Sequence, residues 1–422
     1  MWVNTMPKFI INGGRQLCGE LMVQGAKNSV LPLLAATILC SGTSVLHNCP
    51  KLSDVAASMN ILKHLGCLCQ FDAGSITVDT NNFKCSRIPD KLMLKMRSSV
   101  IFLGAILGRC GFATISSPGG CELGPRPIDL HISSLKRLGV MTNEKHGFIE
   151  FYAPNGLMGN EINLSFASVG ATENIILAAV TAKGRTIIYN AAKEPEICDL
   201  CNFLNTCGAH IRGSGTDTII IDGVDSLIGC EHNVIPDRIV VATFMAAAAI
   251  TGGEIVLNNI NSSHITAICS VFEESGCDIS IFDNKLCLKS PPKLSRVSTI
   301  RTSIYPGFPT DAGPILLSML ALSNGSSIIV ENIFENRFRY VDELKRLGAN
   351  INVEGRVAII EGVDKLSAAY CRCTDLRGGA ALVVAGLAAK GTTIVDDIYH
   401  IKRGYEKIDY NLSLLGADIK EV

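Results

Sequence analysis

The chain has 422 residues, too many for one ordinary core, and 47% hydrophobic with 18% charged content describes a packed globular protein of two domains. Thirty-eight basic against 39 acidic residues leave a formal charge of −1, no field for a nucleic-acid backbone. No run approaches the roughly 20 apolar residues that cross a bilayer, and the first eight residues lack the pattern of a signal peptide, so a cytoplasmic protein without membrane insertion is expected.

The elements fall into a recurring order. A first strand over Lys8 to Asn12 has no partner near it in sequence and is expected to complete a C-terminal group. Val23-Gln24-Gly25-Ala26-Lys27-Asn28 then opens an apolar helix over Ala26 to Leu39. An amphipathic helix follows, with Val55, Met59, Leu62 and Leu65 at helical spacing, and it stops at Gly66 before short strands such as Ser75 to Asp79. The same order recurs, and its helix-ending glycines are Gly66, Gly139, Gly208, Gly276, Gly348 and Gly416. Their successive differences are 73, 69, 68, 72 and 68, a repeat six times over. Each such glycine suits the left-handed residue that ends a helix.

Between the repeats run further helices that are apolar all round: Ala171 to Ala182, Ile239 to Ile250, Ala312 to Leu322 and Ala380 to Ala389. A helix without a polar face must be buried on every side. The expected fold is therefore α/β with helices inside and sheets outside, in two domains of three repeats each. The charged, proline-bearing stretch Cys230 to Pro236 marks one crossing and the neighbourhood of residue 26 the other. This gives one domain over 27–235 and a second over 1–26 plus 236–422, with a cleft between domains as the default binding site.

Candidate chemistry stands at the element ends. Ser117 to His131 packs three glycines and three prolines around Cys121, with Arg126 five residues on and His131 ten on. A cation near an exposed thiol lowers its pKa and makes it a proton donor or nucleophile. The other cysteines, mostly in apolar surroundings, are expected to be reduced, buried thiols. Cys198 and Cys201, at helical spacing, are expected to pack in the core, and no metal is expected. Lys27 stands where an apolar helix begins, a position that favours an anion. Asp311 stands before another such helix, as an N-cap would. Arg97, Arg337, Arg377 and Arg403 recur at similar places, and arginine forks suit carboxylate and phosphate. Together they point to a small, multiply anionic ligand.

These segments resemble the enolpyruvyl transferases over essentially the whole chain. The resemblance is carried by Gly25-Ala26-Lys27-Asn28, Pro118-Gly119-Gly120-Cys121, Arg126-Pro127-x-Asp129-Leu130-His131 and Ser168-Val169-Gly170-Ala171-Thr172. Lys193 to Glu196, Phe308 to Asp311, Glu335 to Phe338 and Thr374 to Arg377 carry it further. It implies two inside-out α/β domains of three repeats each. It also implies transfer of the enolpyruvyl group of phosphoenolpyruvate to the 3′-hydroxyl of UDP-N-acetylglucosamine, by addition and elimination, in bacterial peptidoglycan synthesis, without a cofactor. On this resemblance Cys121 is the general acid and the site of fosfomycin alkylation, and Asp311 the base. Lys27, Arg126 and Arg403 would hold phosphoenolpyruvate, with Asn28 beside them. Arg97, Arg126, Pro127, Ile128, Asp129, Leu130, Ser168, Gly170, Asp311 and Ile333 fall on the nucleotide-sugar positions. Arg337, Asp375 and Arg377 complete the set. One departure is Phe166-Ala167, where some members carry a lysine before the serine motif. The branch that makes 5-enolpyruvylshikimate 3-phosphate has no loop cysteine as acid, and a catalytically silent paralogue would have no need of these charges.

Overall fold

The computed structural model describes residues 7–85, 87–93, 97–116, 128–145 and 147–422, apart from the side chains of 97, 98, 116 and 145. The chain divides into two compact units. One holds the stretch up to Gln24 together with Pro236–Val422, and the other holds the described residues of 25–235.

Both units are built on one sheet pattern, in which an edge strand runs parallel to a central strand and two antiparallel strands follow. In the first unit the sheets are ordered Cys18–Met22, Glu254–Asn258, Lys285–Lys289, Asp278–Phe282; then Thr299–Arg301, Ser326–Val330, Val357–Glu361, Asn350–Glu354; then Tyr370–Arg372, Thr392–Asp396, Phe9–Asn12, Asp418–Glu421. The second unit repeats it in Glu231–Asn233, Thr43–His47, Ser75–Asp79, Leu68–Asp72 and in Glu161–Asn163, Arg185–Tyr189, Thr218–Asp222, His210–Arg212. A third sheet shows three strands, Phe112–Ser116, Phe148–Tyr152 and Met141–Lys145, and Leu227–Ile228 pairs in parallel with Cys40–Ser41. Central strands bury alternate residues, as in Thr43–His47, Ser326–Val330 and Thr392–Asp396, so one face of each sheet is apolar. Phe9–Asn12 pairs antiparallel with both Thr392–Asp396 and Asp418–Glu421, which gives the orphan first strand its place.

The apolar faces cover helices that have no polar side. Arg238–Ile250 is buried at every residue from Ile239 on, and Lys27–Ala36, Val169–Ala179, Gly313–Leu320 and Leu376–Ala388 are nearly as enclosed. These are the five apolar helices read from the sequence, with ends shifted by a few residues. A sixth, Phe102–Cys110, is buried from Phe102 to Leu107 and was not legible as one, because Gly104 and Gly108 dilute its pattern. Those glycines are what allow it to form there. A Cβ on Gly104 would come within 2.3 Å of the Asn174 carbonyl oxygen, and one on Gly108 within 2.8 Å of that of Leu177. The helix thus lies backbone to backbone on Val169–Ala179. The six repeat glycines all take the left-handed conformation, with φ between 87° and 109°.

A second repeated device was only partly visible in the sequence. Asn48, Asn190 and Asn259 each follow a central strand directly and sit at φ of 56°, 55° and 59°. Each side-chain amide then donates to the carbonyl just beyond the parallel edge strand: Asn48 to Val234, Asn190 to Leu164, Asn259 to Val23, all at 2.8 Å. Asn332 makes the matching bond to Thr302 at 2.9 Å. Asparagine suits both demands, since it tolerates the left-handed region and carries a donor. Asn190→Ala should therefore cost about 2 kcal/mol, from the left-handed penalty and the lost bond together. A fall of several degrees in the melting temperature would show it, whereas an unchanged transition would mean that the turn does not hold the edge strand.

Candidate active site

The residues singled out in the sequence fall into separate clusters. In the unit of residues 25–235, Lys27 is the first residue of its helix and only 8% exposed. The anion expected beside it is supplied from within the chain, because Nζ lies 2.8 Å from the buried carboxylate of Asp54, on the helix Ser53–His64. Asn28 is exposed. Ser29 hydrogen-bonds Asp199, which also accepts from His232 Nε2 at 2.8 Å and from the Ile235 backbone at 3.4 Å. The helix start that presents Lys27 and Asn28 is thereby tied to the helix Pro195–Thr206 and to the strand Glu231–Asn233.

A second cluster in this unit is centred on Asn174. Its Oδ1 accepts from the Gly104 backbone at 2.6 Å, and its Nδ2 donates to the Val100 carbonyl at 3.2 Å and to His131 Nδ1 at 2.9 Å. A backbone N–H can only donate and a carbonyl can only accept, so the amide orientation is fixed. His131 Nδ1 is then an acceptor, and the neutral ring carries its proton on Nε2. That edge of the ring faces Gly170, where a Cβ would lie 3.5 Å from Nε2. Ser168 caps the helix Val169–Ala179, accepting from the Ala171 backbone. Ile128 and Leu130 pack against the core, while Asp129 is exposed in the first helical turn. The structure thus brings His131, Ser168 and Gly170 together. Cys121, Arg126 and Pro127 lie outside the described residues, as does the side chain of Arg97.

In the other unit Asp311 occupies a short turn before the helix Gly313–Leu320. Arg337 Nη2 donates to its Oδ1 at 2.9 Å and to the Thr310 carbonyl at 2.9 Å. Arg377 reaches Oδ2 through Nε at 3.3 Å and Nη2 at 3.2 Å. Both arginine side chains are 3% exposed and the Asp311 side chain 28%, so the carboxylate is gripped by buried cations and only partly enclosed itself. Burial works against the Arg377 charge, but Tyr405, Asp311 and Asp237 together hold its pKa above the ordinary value. Arg337 Nε and Arg377 Nη1 are buried with no hydrogen-bond partner among the described residues, so the pair keeps donors beyond those spent on Asp311.

Asp375 caps the helix Leu376–Ala388, accepting from the backbones of Arg377 at 3.0 Å and Gly378 at 2.8 Å, and this aims Arg377 at Asp311. Glu331 carries no mark that singles it out in the sequence. Buried, it accepts from Thr310 Oγ1 at 2.9 Å and from the backbones of Ile333 and Phe334 at 2.8 and 2.9 Å, fixing the turns on either side of Asp311 and Ile333. Arg403 ends the short turn Ile401–Arg403 and is half-buried. Asp54, Asn174 and Asp199 were likewise missed. Each is a polar residue on a helix whose partner is distant in sequence, which leaves no local signal.

Sequence and structure comparisons converge. The EPSP synthase (3-phosphoshikimate 1-carboxyvinyltransferase) family matches residues 11–412. UDP-N-acetylglucosamine 1-carboxyvinyltransferase 2 of Caldanaerobacter subterraneus is 51% identical, the match covering 99% of this chain and all of that protein. UDP-N-acetylglucosamine 1-carboxyvinyltransferase 1 of Symbiobacterium thermophilum is 46% identical over all of this chain and 96% of its own. Among solved structures, the enolpyruvyl transferase NikO from Streptomyces tendae superposes with a TM-score of 0.90 over 99% of both chains at 24% identity, and so shares the fold.

The Asn174 network carries a pH signature. Burial lowers the His131 pKa to about 4, below the free imidazole value of about 6.5. The unfolded chain binds this proton more readily, so the contribution to stability is complete above about pH 6.5 and is lost as pH falls toward 4. NMR should show the His131 ring neutral down to about pH 4, and titration near 6.5 would contradict the enclosed, Asn174-bonded ring.

Proposed function

The chain belongs to the EPSP synthase (3-phosphoshikimate 1-carboxyvinyltransferase) family, and we propose that it is the UDP-N-acetylglucosamine 1-carboxyvinyltransferase of its host. It transfers the enolpyruvyl group of phosphoenolpyruvate to the sugar 3′-hydroxyl and releases phosphate, the committed step into peptidoglycan, in the cytoplasm. The choice of sugar acceptor over a shikimate rests on the names of relatives that match nearly end to end. The observation that carries the chemistry is Asp311, a partly exposed carboxylate fixed by two buried guanidinium groups.

We assign the roles as follows. Lys27, Arg126 and Arg403 hold phosphoenolpyruvate, with Asn28 adjacent; cations there offset the charge of the phosphate and carboxylate. Cys121 gives its proton to the methylene carbon, which leaves the adjacent carbon electron-poor. The sugar oxygen bonds to that carbon while Asp311 takes the hydroxyl proton. The product is a tetrahedral intermediate with methyl, carboxylate, phosphate and sugar ether on one carbon. A methyl proton then returns to the Cys121 thiolate as phosphate departs carrying the proton held by Asp311, which restores the double bond and both groups. Arg97, Pro127, Ile128, Asp129, Leu130, Ser168, Gly170 and Ile333 bind the nucleotide sugar. Arg337, Arg377 and Asp375 keep Asp311 in place, and correct placement of a reacting group accounts for a large part of many catalysed rates.

The test is phosphate release from phosphoenolpyruvate with UDP-N-acetylglucosamine, with and without fosfomycin. Release should require the sugar and be blocked by fosfomycin in the wild type but not in any residual activity of Cys121→Ser. Asp311→Asn should lower kcat by about a hundredfold or more. Release with shikimate 3-phosphate instead would replace the acceptor, and none with either acceptor from a folded, sugar-binding protein would make it a silent paralogue.

A further inference from the structure

Tyr405 lies two residues beyond Arg403 and is 2% exposed. Its ring lies against the Arg377 guanidinium, whose central carbon is 5.4 Å from the ring centre. Its hydroxyl is 2.9 Å from Thr243 Oγ1, on the buried helix Arg238–Ile250. Either oxygen could supply the proton of that bond, and the surroundings decide which. Thr243 has one proton, and the Ile239 carbonyl at 2.8 Å can only accept it. A phenol that withheld its proton from Thr243 would turn it toward Arg377, which has donors only. The protons therefore run one way, from Tyr405 to Thr243 and from Thr243 to the Ile239 carbonyl, and the phenol oxygen turns its lone pairs toward the cation. Burial pushes the Tyr405 pKa up against the opposing pull of Arg377.

The backbone on both sides of this residue is held by one side chain. Gln24 Nε2 donates to the Gly404 carbonyl at 3.2 Å, and its Oε1 accepts from the Glu406 backbone at 2.8 Å. The amide brackets Tyr405 and follows Arg403 by a single residue. Nothing in the sequence marks Gln24 or Tyr405 for this task.

Building on the reaction assigned above, we propose that Tyr405 is a positioning residue for the transfer. Backed by Thr243, it fixes Arg377 and through it Asp311, while Gln24 fixes the segment that carries Arg403. The phenol touches no reacting atom; it acts through Arg377.

Tyr405→Phe keeps the ring and deletes only the hydroxyl. We expect kcat for sugar-dependent phosphate release to fall about tenfold, with KM for both substrates within about twofold, because a charge-facing dipole is lost in the transition state and not in ground-state binding. Thr243→Val, which removes the acceptor of the phenol proton, should match Tyr405→Phe, and Thr243→Ser should restore wild-type kcat. Tyr405→Phe combined with Thr243→Val should be no worse than either alone, since both break one chain. Wild-type kcat in Tyr405→Phe, a loss confined to KM, or a Thr243→Ser as poor as Thr243→Val would overturn the proposal while leaving the reaction intact. A wild type that releases no phosphate with UDP-N-acetylglucosamine would instead overturn the reaction and this inference with it.

Discussion

A helix buried on every side must have each polar group it carries hydrogen-bonded within the packing, and much of the structure follows from that constraint. Six such helices run through the two units, and a polar or charged residue stands at or just before the start of each. These are Lys27, Arg97, Ser168, Asp237, Asp311 and Asp375. Three of them spend side-chain oxygens on capping the helix, which satisfies donors that would otherwise be orphaned in a dry interior. Lys27 and Asp311 instead meet side chains, from Asp54 in one case and from two arginines in the other. Polar residues gather at helix starts, and those within the helices, Asn174 and Thr243, are hydrogen-bonded where they stand.

The same constraint explains what could be read in advance. All-round apolar helices and terminal glycines are local patterns, so the repeat, the helix-inside arrangement and five of six buried helices were legible from the chain alone. Phe102–Cys110 was not, since the glycines that let it approach Asn174 also erase its signature. Candidate residues were legible where they sat at element ends. Their partners were not. Lys27 was expected to meet an anion, and the one beside it in the structure is Asp54, on the next helix in sequence. Asp311 was read as a cap by position and as the base by resemblance, and neither reading pointed to its two arginines, which come from 26 and 66 residues away. Pairing across such distances is decided by packing and leaves no periodicity behind.

The polar residues form tiers of differing reach. Asp311 is partly open to solvent; Arg337 and Arg377 behind it are closed off; Asp375, Glu331 and Tyr405 lie behind those. Inside a low-dielectric interior each tier is costly unless its hydrogen bonds are met, so the network is rigid for the same reason that it is expensive. The exceptions are Arg337 Nε and Arg377 Nη1, buried without a hydrogen-bond partner among the described residues, on the two guanidinium groups that hold Asp311.

The strand Phe9–Asn12 adds a constraint of a different kind. It is the third strand of a sheet whose other members begin at Tyr370 and whose edge is Asp418–Glu421. On a ribosome adding roughly 5–20 residues per second, about 400 residues and on the order of tens of seconds separate it from that edge. The unit of residues 25–235 meets no such delay, because every strand of its sheets lies within one continuous stretch. It is complete while the rest of the chain is still being made. Phe9–Asn12 thus waits, unpaired, for strands made far later, and an apolar strand left open that long is a natural client for a chaperone.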